Sequence, residues 1–377
     1  MKMSPKLDRI GHHIKSAHIS LSSYVRTRQV DLYEFVRSRQ AIYLDTKFWI
    51  ILRNVELNRS DSDEEAELLL TLRKGVVDGA LVCPICESTF SELMKQTDEV
   101  TRCATAKLID ELSLGVALID YFTRANTELA CLLHGDLPVT SRFLSEQLVW
   151  TRVAYVLGEL HPSNTGFDAQ TELALQKAFV DVMWDAQLSD IVESLDFSNK
   201  PNNDFDSLSI SLNQQNALHS SELKSFQHTY EIESHGAVDL LLPVAEQIIQ
   251  KRFADKFEVT YQVTDAERDF ASREIRQFLV AILNGERSKE ILRTMHISTA
   301  LHAYLRWNKG QQWHSNHFYD LHHAAAAIGY CDLFLTERGL KGWLTSGPLK
   351  LDNVYGCQIA CSPHEALQFL KSKVSDT

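Results

Sequence analysis

The sequence predicts an α/β fold: a parallel sheet with helices on both faces, interrupted by a large all-helical insertion. Three observations predict it. Glycine and proline together number only 23 of 377 residues, about half the usual share, so turns are few and helices dominate. Short apolar runs alternate with helical periodicity near residues 41–100 and again near 312–377. Between them, from about 100 to 310, the pattern is almost wholly helical.

Residues 1–40 read as helical, with Ile14, Ala17, Leu21, Tyr24 and Val25 forming an apolar stripe. Ala41-Ile42-Tyr43-Leu44 reads as a buried strand that stops at Asp45, and Phe48–Leu52 as the start of a helix. Acids 61–65 open the next helix, where the dipole favours them, and that helix is expected to end near Gly75. Residues 80–85 read as a second buried strand. A helix from Ser88 to Gln96 follows, with Ser88 or Thr89 as its expected cap. Breaks in the middle region fall at 161–166 and 198–203, which have loop composition. Asp320 is expected to begin a helix ending at Gly329, Leu333–Thr336 to form a strand, Val354–Ala360 another, and Glu365–Lys371 a closing helix. The organisation is then an N-terminal helical segment 1–40, an α/β domain split into 41–100 and 312–377, and an insertion at 101–311.

Composition bounds the function. Hydrophobic residues are 44% and charged residues 23%, ordinary globular usage, and no apolar run is long enough to span a membrane. Met1–Ser23 lacks the apolar stretch of a secretory signal, and seven scattered cysteines fit reduced thiols, so a cytoplasmic setting is expected. The formal charge of −12 disfavours general polyanion binding but allows a local basic groove.

In a parallel sheet, functional side chains gather at the carboxyl ends of strands. Asp45 is at such an end, Glu92 lies in the helix after the second strand, and Asp320 lies in the helix before the third. Asp332 and Glu337 flank that strand, with Glu337 on the carboxyl side. Several carboxylates converging there repel one another and call for a hard cation, Mg²⁺ or Mn²⁺. Acids at helix starts also serve as plain caps, a role open to Asp45 and Asp320. Lys47, Arg53, Lys95, Arg102 and Arg338 lie near the same edge, as candidate phosphate contacts or as solvated surface. Within the run His314, His317, His322 and His323, only His323 shares a helix face with Asp320, beside the acids. Cys83/Cys86 and Cys357/Cys361 overlap predicted buried strands, where cysteine packs as a small apolar residue.

The segments Ile42-Tyr43-Leu44-Asp45-Thr46, Phe90-Ser91-Glu92-Leu93, Asp320-Leu321-His322-His323 and Asp332-Leu333-Phe334-Leu335-Thr336-Glu337 together resemble a PIN-domain nuclease. The resemblance implies a Rossmann-like, PIN-type parallel sheet and a divalent-metal site of Asp45, Glu92 and Asp320, with either Asp332 or Glu337 as the fourth acid. Lys47, Lys95, His323 and Arg338 are then substrate contacts. It implies a Mg²⁺- or Mn²⁺-dependent hydrolase, an endoribonuclease before a DNA nuclease, leaving 5′-phosphate and 3′-hydroxyl ends, in a toxin, defence or RNA-processing setting. Lys47 departs from the family, which commonly has asparagine after its Asp-Thr pair. The resemblance covers about a third of the chain. The helical region 101–311 then sets substrate choice or holds a protein partner or a second copy, and a catalytically inactive PIN-like scaffold is the competing expectation.

Overall fold

The computed structural model describes residues 8–134, 143–195, 205–257 and 264–374. Two helices come first, α1 (Asp8–Lys15) and α2 (Leu21–Arg37), the latter capped by Ser20. β1 (Gln40–Leu44) is buried from Ala41 onward, as a strand covered on both faces must be. Then come α3 (Thr46–Glu56), α4 (Asp63–Val77), β2 (Leu81–Val82), α5 (Glu87–Lys95) and α6 (Glu99–Ser113). The middle of the chain supplies β3 (Val116–Leu118), α7 (Tyr121–Leu133), α8 (Ser145–Leu148), β4 (Trp150–Arg152) and α9 (Ala169–Trp184). It continues through α10 (Leu188–Ser194), α11 (Phe205–Leu218), α12 (Phe226–Phe257), α13 (Asp265–Asn284), α14 (Ser288–Ile291) and α15 (Arg293–Trp307). The chain closes with α16 (Ser315–Tyr330), β5 (Leu333–Leu335), α17 (Arg338–Thr345), α18 (Leu351–Tyr355), β6 (Gln358–Ala360) and α19 (Pro363–Val374).

Four strands form a parallel sheet in the order β2-β1-β5-β6. Leu44 stands opposite Leu335, and Leu335 opposite Ala360, so the carboxyl ends of the three longer strands are level. Beyond β2, Ile85 bridges Ala117 in parallel and joins β3, which pairs antiparallel with β4. Side chains alternate across the sheet. Ala41, Tyr43, Val82 and Phe334 enter one core with α2, α15 and α16. Ile42, Leu44, Leu81, Leu333 and Leu335 enter another with α3, α4, α6 and α19. A third core, holding Leu129, Leu241, Leu279 and Met295, joins α7, α12, α13 and α15.

Several expectations are corrected. The stretch 101–311 is not all helical, because β3 and β4 interrupt it. Leu114 and Gly115 both take positive φ, which ends α6 and releases three apolar residues into β3, a run too short to show a strand period. α4 continues past Gly75 to Val77. α5 is capped at Cys86, without a side-chain bond, and not at Ser88 or Thr89. α16 starts five residues before Asp320, with His314 as N-cap, so Asp320 is not a cap. Val354 and Tyr355 end α18, and the last strand is only Gln358–Ala360. The expected break at 198–203 lies outside the described residues. No helix among the described residues is long and apolar enough to cross a membrane.

Candidate acidic site

The chain leaves β1 toward β2 on one side and leaves β5 toward β6 on the other. Where strand order reverses in this way, the carboxyl ends of the two central strands diverge and open a crevice. Asp45 directly follows β1, and Thr336 and Glu337 directly follow β5, with the Asp45 amide donating to Leu335 O at 3.0 Å. α5 and α16 pack together over this edge and bring Glu92 and Asp320 to it.

Asp45 is buried and caps α3, its Oδ1 accepting from the Phe48 amide at 3.2 Å. Burial raises its pKa and Glu337 adds to the rise, while the Thr336 hydroxyl, His323 and the Phe48 amide oppose it. Asp320 is pushed up to about 7 by burial first, then by the charges of Glu337, Glu92 and Asp45, against the pull of His323. Asp320 therefore registers all three of the other acids.

Glu92 is held differently. Its Oε2 accepts from Thr46 Oγ1 at 2.5 Å and from His323 Nε2 at 2.8 Å. Burial acts to raise its pKa, but the bond and charge of His323, then Thr46 and Lys95, outweigh burial and hold it below the usual range. His323 is 3% exposed, and its Nδ1 hydrogen-bonds Tyr43 Oη at 2.7 Å. Tyr43, fully buried, also reaches Cys86 Sγ at 2.8 Å and Thr89 Oγ1 at 3.2 Å. Although burial opposes charge on the imidazole, Cys86 and Glu92 hold its pKa well above 6.5. A buried chain Cys86–Tyr43–His323–Glu92 thus braces one acid of the cluster and sets a positive group behind it.

The structure brings together Asp45, Glu92, Asp320 and Glu337. It does not bring Asp332, whose Oδ2 accepts from the Ala41 amide at 2.8 Å at the start of β1, on the opposite edge of the sheet. The choice left open by the sequence falls to Glu337, because strand polarity places one flanking acid at each edge. Lys95 Nζ lies 3.9 Å over the Tyr319 ring, beside Asp320 in the chain, and Lys47 Nζ lies 5.7 Å over Phe48. Arg338 is exposed at the start of α17. Arg53 and Arg102 are buried and both donate to Gln96, which fixes the end of α5 and makes them poor phosphate contacts. His322 turns away from the acids to pair with Glu87 and stack on Tyr121, and His317 packs on Trp343. The cysteines are all free.

Sequence reasoning missed Tyr43, Thr46 and Thr336. Thr46 stood in the quoted Asp-Thr pair, but nothing linked it to Glu92, and Tyr43 sits in a run that reads as plain core.

The acids supply the hard oxygen donors a divalent cation prefers, and the elevated Asp320 shows negative charge exceeding its compensation. The cluster is open, however: among the described residues no three His, Cys, Asp or Glu side chains stand close enough to hold a metal ion. No protein-family model matches the chain, and neither a curated protein nor a solved structure does so significantly.

Proposed function

We propose that this protein is a PIN-like, Mg²⁺- or Mn²⁺-dependent nuclease that hydrolyses phosphodiester bonds, with RNA as the favoured substrate. The observation that carries the reading is the convergence of Asp45, Glu92, Asp320 and Glu337, from four separate elements, at the reversal point of a parallel sheet, with Asp320 raised to about 7. A cation held by these acids supplies Lewis acidity toward a phosphoryl group. Asp45, Asp320 and Glu337 offer carboxylate oxygens, and Glu92 offers Oε1, since its Oε2 is taken by Thr46 and His323. Lys47 and Lys95 bring positive charge for the substrate phosphates, offsetting an acidic surface.

The test is incubation of labelled RNA and DNA panels in Mg²⁺, Mn²⁺ or EDTA, with wild type, Asp45→Asn and Asp45→Ala. Cutting in either cation and none in EDTA is expected. Asp45→Asn abolishes cutting while keeping the α3 cap, whereas Asp45→Ala also costs about 1 kcal/mol of stability. Cutting that persists in EDTA overturns the reading. The open spacing of the acids favours a second reading, a catalytically inactive PIN-like binding protein. Stabilisation by Mn²⁺ with no cleavage of any panel member selects it.

A further inference from the structure

At the amino edge of the same sheet, where β1 and β5 begin, a cavity of about 300 Å³ opens between the ends of α2 and α16, the start of α15, and α8. That volume is at the lower end of small-molecule sites, which run to roughly 1,000 Å³. Asp332, the acid left out of the carboxyl-edge cluster, lines it with Arg37, Arg39, Arg293, Tyr33 and Tyr355, and Trp150 forms part of the wall.

Three arginines here face two carboxylates, Asp332 and Glu146, so the cavity is a net positive spot on a chain of formal charge −12. Helix ends account for part of this charge. Arg39 Nη1 donates to Phe35 O at 2.7 Å near the end of α2, and Arg293 Nη1 to Gly329 O at 2.9 Å near the end of α16. Arg293 Nη2 also pairs with Glu146. These bonds leave the forks incompletely used, because the Nε atoms of both Arg39 and Arg293 are buried without a hydrogen-bond partner. A buried guanidinium N–H with no acceptor is costly, and a tetrahedral or planar oxyanion is the acceptor that its fork geometry fits. Asp332 uses Oδ2 on the Ala41 amide, which leaves Oδ1 as an acceptor facing the same space. Tyrosine and tryptophan rings beside the arginines offer faces for a planar ring.

We propose that this cavity is a binding site for a nucleoside monophosphate: phosphate on the Arg39 and Arg293 forks, base against the Tyr33 or Tyr355 ring, and a sugar hydroxyl or ring N–H donating to Asp332. The site is separate from the acidic cluster, since β5 holds the two edges about 10 Å apart along the strand. α16 touches both, with Asp320 at the acidic edge and Tyr330 in the cavity wall about 15 Å along the helix.

Isothermal titration calorimetry in EDTA tests it, because without divalent cations the acidic edge repels phosphates. The probes are adenosine and uridine 5′-monophosphates, the two nucleosides, and inorganic phosphate. Both monophosphates are expected to bind wild type and Glu337→Gln equally. Removing the phosphate, or replacing Arg39→Gln, weakens binding about tenfold or more, the loss of one charge-assisted hydrogen bond. Arg293→Lys, which keeps the charge and loses the fork, weakens it similarly, and thermal melts verify that each variant folds. The assignment is overturned if neither monophosphate binds, if the nucleosides bind as tightly, if inorganic phosphate matches the monophosphates, or if Arg39→Gln and Arg293→Lys both bind like wild type.

Discussion

Burial and three neighbouring carboxylates raise Asp320 to about 7 in the folded protein, well above the ordinary 3.8. A raised carboxyl contributes stability that is fully present below the unfolded pKa and lost as pH rises through the folded one. Metal-free protein should therefore lose stability at this position between about pH 4 and pH 7. Asp320→Asn removes that loss, and in EDTA at pH 8 its Tm is expected about 2–4 °C above wild type, equivalent to about 1 kcal/mol in a chain of this size. An unchanged or lower Tm by calorimetry would speak against the crowding. Tyr43 carries a second expectation. Its hydroxyl meets His323, Cys86 and Thr89, all buried, so Tyr43→Phe costs about 1–3 kcal/mol. By loosening His323 behind Glu92 it also lowers Mn²⁺ affinity about 10- to 100-fold. A drop in Tm with Mn²⁺ binding intact would make Tyr43 purely structural. The acids were legible in the sequence because each stands beside an apolar run. Tyr43 was not, because nothing in a buried run marks one hydroxyl as shared with a histidine 280 residues away.

Elements were legible where they are long, and illegible where a few residues decide them. α3, α4, α6 and α19 announce themselves through apolar periodicity, and α4 also through the acids at its start. β3 and β4 do not, since a strand of three residues spans barely one side-chain alternation. Gly75 illustrates a tertiary demand on a helix. Read alone, glycine suggests a terminus, yet α4 runs through it because the helix passes directly over β2. A Cβ there would stand 2.3 Å from Leu81 Cδ1 and 2.5 Å from Cγ. Alanine ordinarily favours a helix by about 1 kcal/mol over glycine. Here overpacking against Leu81 outweighs that gain, and Gly75→Ala is expected to destabilise by a net 1–3 kcal/mol or so, read as a lower urea midpoint. A midpoint at or above wild type would show that Leu81 gives way freely.

On the scale of the whole molecule, three cores meet around one sheet, and α15 and α16 tie them together. Histidines on these helices are deeply placed: His296, His302 and His317 are each pushed down to about 4, chiefly by burial. A depressed histidine contributes stability that is present above pH 6.5 and lost as pH falls through its folded pKa near 4. Asp320 acts with the opposite sign over the same range, but as one group against three. The protein is therefore expected to melt at progressively lower temperature from pH 6.5 to pH 4, and His302→Gln should flatten that slope. A level Tm profile over this interval would mean these imidazoles reach solvent.

The sequence by itself determined that apolar runs alternate with helices at both ends of the chain, and that acids stand beside those runs, because burial pattern and residue chemistry are local properties. Only the tertiary structure decided which acids meet. The parallel register of β1 and β5 sends Glu337 to the edge that holds Asp45 and sends Asp332 to the other. The packing of α16 on α5 sets His323 against Glu92. Strand polarity and helix packing are relations between distant segments, and no window of sequence contains both partners.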